Sequence, residues 1–148
     1  MVEVVLKAFN IRKNFSEPVL NGVSLALERN EILGVVGPNA CGKTTLLRIL
    51  AGLERADDGE VWRGGRASLV FQEDRLLPWM TLMENICLGL KYLGIRGEEA
   101  LERALKYSEK LGLTQLDLKS YPLKVSGGTR RKAAIVRTLA LEPDIVLM

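Results

Sequence analysis

Eight consecutive residues have the types and the spacing of a phosphate-binding loop. The run Gly37-Pro38-Asn39-Ala40-Cys41-Gly42-Lys43-Thr44 fits the pattern G-x-x-x-x-G-K-[ST]. Its two glycines let the backbone turn successive N–H groups toward phosphate oxygens. Lys43 is expected to reach the β- and γ-phosphates of a nucleotide, and the Thr44 hydroxyl is expected to bind Mg²⁺. The predicted nucleotide-binding residues of this stretch are Gly37, Pro38, Asn39, Ala40, Cys41, Gly42, Lys43, Thr44 and Thr45.

The segments on either side of the loop have the character that such a site requires. Residues 31–36 form an almost continuous apolar run, which is typical of a strand buried on both faces of a parallel sheet. After the loop, apolar residues recur with helical spacing from Leu46 to Leu50, and Gly52 follows at a position suited to the end of a helix. The sequence therefore predicts a buried strand, the loop and a helix, and the helix N-terminus adds positive potential at the loop.

The remaining patterns predict a mixed α/β chain. Short apolar groups between Val2 and Leu27, separated by turn-prone residues, predict an N-terminal antiparallel region. Thr81 and Glu84 have the spacing of a capping box at the start of a helix. Further predicted elements, in chain order, are strands at 60–62 and 67–71, helices at 98–111 and 128–141, and a buried strand at 144–148.

A second motif precedes the last predicted helix. The segment Val125-Ser126-Gly127-Gly128, followed by Thr129-Arg130-Arg131, resembles the signature segment of ABC-transporter ATPases, which is usually written LSGG-x-x-Q. Taken alone, a Ser-Gly-Gly sequence is also a common helix cap, so a purely structural role stays open. The resemblance implies that ATPase subunits pair head to tail and that Ser126, Gly127 and Gly128 of one subunit complete the ATP site of the other. A second ABC ATPase subunit, in a homodimer, is therefore an expected partner.

The order of motifs along the whole chain is similar to that of the same family. It implies an α/β P-loop NTPase core of the ABC ATPase type, with an N-terminal antiparallel β region, a helical insertion and an incomplete C-terminal part. The expected divisions of this partial ABC ATPase domain, 1–148, are 1–30 for the antiparallel region, 31–79 for the nucleotide-binding core, 80–126 for the helical insertion, and 126–148 for the signature helix and the start of the Walker B strand.

The resemblance also implies roles for two residues outside the loop. Gln72, at the end of the predicted strand 67–71, corresponds to the glutamine that contacts the Mg²⁺ and attacking-water region, and it is the predicted catalytic residue. Phe15 occupies the place of an aromatic residue that stacks on adenine. Each has a simpler alternative, because Gln72 could be a polar residue that ends a strand and Phe15 could belong to a core.

One segment resembles a particular group of importers. Residues 76–79, Leu-Leu-Pro-Trp, are similar to a segment of ATPases that serve nitrate, taurine and other sulfonate importers and related importers of thiamine precursors. In that group the segment lies where the ATPase docks on its membrane subunit. The resemblance implies a transmembrane permease as partner and, through it, a solute-binding protein. The alternative is an apolar turn that only fills the helical insertion.

Four positions depart from the family pattern. Ala40 and Asn30 stand where glycine is usual, and alanine in a left-handed conformation costs about 1 kcal/mol or more, whereas asparagine tolerates it. Arg131 replaces the glutamine of the signature and Val125 its leucine. These two replacements raise the question of how well the paired ATP site is held.

The acidic residues that the family uses for hydrolysis are not found in residues 1–148, and the chain has no histidine for the family's switch position. We therefore expect a truncated cassette that resembles an ATP hydrolase but is inactive alone and at most binds nucleotide. Two other hypotheses stay open: a soluble ABC-type ATPase that acts on nucleic acid, and a regulatory module that binds ATP without hydrolysing it. The short helical insertion and the segment 76–79 favour a transport role without nucleic acid.

Composition adds broad limits. The chain has 148 residues, a formal net charge of +3 and well-spread basic residues, in the range of one globular domain. Cys41 lies inside the phosphate loop, where a disulfide would block access, so a reducing compartment is expected. No apolar run approaches the roughly 20 residues of a membrane helix. These features predict a cytoplasmic protein, and the resemblance implies a peripheral position on the inner face of the cell membrane.

Overall fold

The chain divides into two compact units, each with its own core. The computed structural model describes residues 3–148, so Val2, which the sequence pattern groups with the first strand, lies outside the described residues. Unit one comprises Met1–Leu69 and Asp144–Met148, and unit two comprises Val70–Pro143.

Unit one is built mainly from strands. Its elements are β1 (Val4–Asn14), β2 (Pro18–Glu28), α1 (Lys43–Leu50), β3 (Asp58–Arg63), β4 (Ala67–Leu69) and β5 (Ile145–Leu147). Strand β1 lies between β2 and β3 in an antiparallel sheet, and β4 pairs in parallel with β5. Apolar residues of β1, α1 and β5, such as Ile11, Leu50 and Ile145, form one buried cluster. The predicted N-terminal antiparallel region and the helix after the loop are thus confirmed.

The predicted strand at residues 31–36 is wrong for the described structure. This segment has no regular secondary structure, and Ile32 and Val36 are 97% and 93% exposed. An apolar run makes a strand only where neighbouring strands accept its backbone hydrogen bonds. Among residues 3–148 the only backbone hydrogen bond formed by this segment with other backbone groups is from Glu31 N–H to the Glu28 carbonyl, at 3.2 Å. Apolar composition alone therefore did not determine the conformation.

Unit two is helical. Its elements are α2 (Leu82–Tyr92), α3 (Gly97–Lys110), α4 (Gln115–Lys119), a 3₁₀ turn (Pro122–Lys124) and α5 (Gly127–Leu139). The predicted apolar stripe of α2 is largely confirmed, because Leu82, Ile86 and Leu90 are fully buried against α3 and α5. Leu93, which the pattern adds to that stripe, is exposed.

Capping residues fix where three of these helices begin. Thr81 accepts a hydrogen bond from Glu84 N–H while the Glu84 carboxylate accepts one from Thr81 N–H, so the predicted capping box is confirmed. The Thr81 N–H and the Thr81 hydroxyl, which both donate to the Glu84 carboxylate, lower the pKa of Glu84 below its ordinary value. Thr114 and Asp117 make the same arrangement at α4, and Ser126 caps α5. The helix boundaries of unit two are therefore encoded locally.

Candidate functional site

The phosphate loop, residues 37–44, has a backbone that its small residues permit. Gly42 has a φ of 94°, and a Cβ atom there would lie 2.9 Å from the side chains of Val19 and Leu20. At Gly37 a Cβ would lie 2.8 Å from the Cys41 sulfur. Both distances are shorter than real Cβ contacts, so a larger residue at position 37 would require Cys41 to shift, and one at position 42 would require Val19 and Leu20 to shift. The two glycines of the motif thus make a close turn possible, as the sequence predicts.

A side chain satisfies the backbone groups at the C-terminus of α1 but not those at its N-terminus. At its C-terminus, the Arg63 guanidinium donates to the Leu50 carbonyl at 2.6 Å and to the Ile49 carbonyl at 2.8 Å. At its N-terminus, Gly42 supplies no side-chain cap, and no acidic residue lies in the first turn. The first N–H groups of a helix lack intrahelical partners and carry positive potential. The end of α1 that meets the phosphate loop is therefore suited to an anion.

The Lys43 ammonium lies within the loop. Its Nζ donates to the carbonyl oxygens of Gly37 at 2.8 Å and Pro38 at 2.6 Å, and it lies 3.7 Å from the Cys41 sulfur. An ammonium has three donors, and a thiol sulfur is the weakest acceptor among these three groups. A phosphate oxygen could replace the sulfur contact without disturbing the two carbonyl bonds. The lysine is thus held at the loop by backbone groups while one donor stays available for a better acceptor.

The donor set at the loop suits Mg²⁺ only in company with phosphates. Thr44 is exposed in the first turn of α1. Its hydroxyl oxygen is a hard ligand of the kind Mg²⁺ takes alongside nucleotide phosphates. Within residues 3–148 there is no cluster of three or more histidine, cysteine, aspartate or glutamate side chains that could hold a metal. A nucleotide-borne Mg²⁺ fits Thr44, whereas an independent metal site has no ligands there.

Phe15 follows the end of β1 and is 59% exposed, so the alternative that it belongs to the core is wrong. The Lys13 ammonium lies 5.3 Å from the centre of its ring. That lysine is itself held by Glu54 at 3.2 Å and Asp57 at 3.1 Å, and these carboxylates raise its pKa while partial desolvation opposes the shift. The result is an aromatic side chain that is open to solvent beside a fixed cation.

Gln72 lies in unit two, in a turn of five residues, 71–75, that we call the Gln72 turn. Its side chain is exposed. Arg131 of α5 donates to the Phe71 carbonyl and, at 3.3 Å, to the Gln72 carbonyl. Strand β4 ends at Leu69, two residues earlier than the predicted strand, so Gln72 belongs to a turn rather than to a strand end.

Ser126 forms the N-cap of α5. Its Oγ accepts from Thr129 N–H at 3.1 Å and lies 3.0 Å from the Thr129 hydroxyl. Ser126, Gly127 and Gly128 are all exposed, and a Cβ at Gly127 or Gly128 would meet no atom closer than 3.7 Å. The structural role that the sequence left open is therefore real. It leaves the surface of the cap accessible, and the two glycines are not explained by crowding within the described chain.

The segment 76–79 is both anchored and exposed. Leu76 packs against the core of unit two, whereas Trp79 is 70% exposed. The segment 76–79 is held by Asn85, which is fully buried in α2 and hydrogen-bonds to four backbone groups between Leu77 and Thr81. Asn85 was not predicted from the sequence, although an asparagine among the apolar residues of α2 is a signal of a buried amide with hydrogen-bond partners.

The departures from the family pattern have clear structural consequences. Ala40 and Asn30 both have a φ of 63°, so both occupy the left-handed region, as expected for positions where glycine is usual. Val125 packs against the core of unit two. Arg131 turns toward the carbonyls of Phe71 and Gln72. The two signature replacements are thus accommodated inside unit two.

Comparison with known proteins gives the family. Residues 20–148 match the model of the ABC transporter family. The chain is 39% identical over 160 residues to an uncharacterized ABC transporter ATP-binding protein of Methanocaldococcus jannaschii, covering 99% of this chain and 60% of that protein. It is 38% identical over 138 residues to a taurine import ATP-binding protein of Pseudomonas aeruginosa, covering 88% of this chain and 52% of that protein. Other similar proteins are named as import ATP-binding proteins for aliphatic sulfonates and for methionine.

The same relation holds in three dimensions. The dimeric structure of a bacterial ABC transporter cassette aligns with a TM-score of 0.87 at 28% identity, covering 95% of this chain and 72% of that one. A post-hydrolysis dimer of that cassette with ADP and phosphate aligns with a TM-score of 0.84.

The chain spans about half the length of the curated relatives it matches, from 52% to 60% in the two described above. Within residues 3–148 no helix is long and apolar enough to cross a membrane. The predicted fold class is confirmed by these alignments. With the phosphate loop and the Ser-Gly-Gly cap in the order described, the chain belongs to the ABC transporter family of ATP-binding proteins.

Proposed function

We propose that this chain binds ATP with Mg²⁺ at the phosphate loop. The observation that carries the proposal is the uncapped N-terminus of α1, where the Lys43 ammonium is held by two loop carbonyls. Lys43 contacts the β- and γ-phosphates, the loop N–H groups surround the phosphate oxygens, and Thr44 binds Mg²⁺. Phe15 stacks on the adenine, which its exposure supports.

The whole protein, in this proposal, is the ATP-binding subunit of an importer. Two subunits pair so that Ser126, Gly127 and Gly128 of one meet the nucleotide of the other, and Gln72 contacts the Mg²⁺ and attacking-water region. Similarity to a dimeric cassette and to its post-hydrolysis state supports both pairing and ATP hydrolysis. The subunit works peripherally on the cytoplasmic face of the membrane with a permease and, through it, a solute-binding protein.

The cargo class we propose is a nitrate-like or sulfonate-like anion such as taurine. Similarity to a taurine importer and to sulfonate importers supports it, as does the exposed segment 76–79. Methionine importers are also among the similar proteins, so the segment, rather than overall similarity, carries this choice.

Calorimetric titration with ATP tests the nucleotide site. Lys43→Ala should weaken binding by about 10- to 100-fold, the size of a charge-assisted hydrogen bond, because it removes the ammonium from the phosphates. Thr44→Val should abolish the gain in affinity that Mg²⁺ provides and leave binding in EDTA unchanged. Lys7→Ala is the control, since Lys7 is an exposed lysine of β1 in the same unit. Equal affinities in the Lys43 and Lys7 variants would disprove the site.

Co-purification with the membrane subunit of a taurine or sulfonate importer tests the partner. Trp79→Ala should lose the complex because it removes the exposed side chain of the segment. Trp62→Ala is a matched control, because Trp62 is another exposed tryptophan, in β3 of unit one. Retention of the complex by the Trp79 variant would contradict docking through this segment.

A further inference from the structure

The Gln72 turn is held to α5 through its backbone carbonyls. Arg131 donates to the carbonyls of Phe71 and Gln72, the second at 3.3 Å. Arg137, six residues further along the helix, donates to the carbonyls of Asp74 and Arg75, each at 2.8 Å. Two arginines of one helix thus bind four of the five carbonyls of the turn.

The turn needs such support because its own backbone is strained. Arg75 has a φ of 47°, in the left-handed region that a non-glycine residue adopts only at a cost of about 1 kcal/mol or more. Residues in such conformations persist where surrounding groups over-determine them. The Arg75 guanidinium also lies 4.3 Å from the centre of the Phe71 ring, which closes the turn on itself. The carbonyl bonds from α5 are the external part of that restraint.

Charge pairing is a weaker part of the attachment. The Asp74 carboxylate lies 3.9 Å from both Arg130 and Arg131, at the outer limit of an ion pair. Partly exposed pairs of this kind contribute little. Arg137 donates to two adjacent carbonyls from Nη2 and Nη1, the forked geometry of a guanidinium, whereas Arg131 donates to both of its carbonyls from Nη1. Arg130 differs from both because its Nη1 donates to the carbonyls of Pro122 and Val125, outside the turn.

We propose that Arg131 and Arg137 clamp the Gln72 turn onto α5, and that Arg131 is a positioning residue that makes Gln72 and the Ser126 cap move as one piece. Helix α5 begins at the Ser126 cap, so the clamp joins, within unit two, the two motifs that the proposed function places at opposite sides of a paired site. The family usually has glutamine where Arg131 stands, and a glutamine side chain is shorter and uncharged. In this chain the replacement therefore acts within the subunit.

The clamp itself is tested by backbone ¹⁵N relaxation, since a chain of 16.4 kDa suits solution NMR. In the wild-type chain, amides of residues 72–75 should have order parameters of about 0.85, and in Arg131→Ala they should fall below about 0.6. Arg137→Lys, which keeps the charge but not the fork, should show the same fall at residues 74 and 75. Arg130→Ala is the matched control, because it removes a neighbouring charge and that residue's own pairing with Asp74 without removing a carbonyl bond to the turn. Order parameters unchanged in both the Arg131 and Arg137 variants would overturn the clamp, as would an equal fall in Arg130→Ala.

The positioning role rests on the proposed ATP site and is tested by comparing ATP dissociation constants measured with Mg²⁺ and with EDTA. Arg131→Ala should reduce the gain from Mg²⁺ by roughly three- to tenfold, the size of one uncharged hydrogen bond, and leave the EDTA constant unchanged. Arg131→Lys should recover part of that gain, and Arg130→Ala should keep all of it. A mobile turn with an unchanged Mg²⁺ gain would overturn the positioning role and leave the clamp. If the wild-type chain binds no ATP, the proposed function and the positioning role both fail, while the relaxation result still decides the clamp.

Discussion

The helix N-termini of the two units differ in whether side chains cap them or place negative charge beside them. In unit two, Thr81, Thr114 and Ser126 cap their helices, and α3, which has no cap, carries Glu98 and Glu99 in its first turn. In unit one, α1 has neither a cap nor an acidic residue. Negative groups near a helix start stabilise it, so their absence at α1 leaves a favourable interaction unmade. The N-terminus of α1, next to the phosphate loop, is therefore distinguished from the helix starts of unit two by having no side-chain acceptor of its own.

Apolar side chains show a second contrast. The core of unit two encloses Leu82, Ile86 and Leu90 completely, while in unit one the segment 31–36 that leads into the phosphate loop exposes Ile32 and Val36. Helix α2 and the segment 31–36 are both rich in apolar residues. The difference lies in whether neighbouring elements among residues 3–148 cover them, which no local pattern specifies.

Three isoleucine substitutions test that contrast, and they have the largest expected effects. Ile86→Ala in unit two and Ile49→Ala in unit one should each lower the free energy of unfolding by about 2–5 kcal/mol, because each removes a buried side chain. Ile32→Ala should change it by less than about 0.5 kcal/mol, as an exposed position does. Urea unfolding of the three variants measures this. The values can be compared if the slope of the free energy of unfolding against urea concentration is the same in all three. A loss at Ile32 as large as that at Ile49 would mean that residues 31–36 form the buried strand predicted from sequence.

A second test concerns the buried polar group that organises the exposed segment of unit two. Asn85→Ala leaves Leu77 N–H and the Met80 carbonyl without their side-chain partner, whereas the carbonyls of Leu77 and Thr81 keep the backbone N–H groups of Met80 and Asn85. We expect a total cost of about 1–3 kcal/mol. The fluorescence of Trp79 should also change as the segment 76–79 loosens. Asn21→Ala in unit one is the control, because Asn21 makes one exposed hydrogen bond, to Arg12. Similar costs for the two asparagine variants would show that burial of Asn85 is not what stabilises the turn.

How far the sequence could anticipate these features depends on whether their causes are local. The Thr81 and Glu84 capping box, the apolar stripe of α2 and the glycines of the phosphate loop are set by residues a few positions apart, and they are found as predicted except that Leu93, the last residue of the stripe, is exposed. The strand at 31–36 depends on distant partners, and that prediction is wrong for the described residues.

The same distinction applies to the candidate site. The loop residues could be named from their spacing, whereas the hydrogen bonds of Arg131 to Phe71 and Gln72 join residues about sixty positions apart. No periodicity or motif in a single sequence carries that information. Departures from a motif, such as arginine for glutamine at 131, are where such contacts are worth seeking.

The smallest change in stability is expected when one alanine in each unit is replaced by glycine. Ala40→Gly in the phosphate loop should raise the free energy of unfolding by up to about 1 kcal/mol, because glycine removes the strain of the left-handed conformation, and the greater freedom of the unfolded chain offsets part of that gain. Ala104→Gly, in the buried interior of α3, should lower it by about 1 kcal/mol or more, since glycine costs helix stability and removes a packed methyl group. The opposite signs follow only if Ala40 is held at positive φ. Urea unfolding of both variants measures the two changes in stability. A loss of stability in Ala40→Gly would mean that the loop holds alanine without strain. The departure from glycine at this position would then carry no cost.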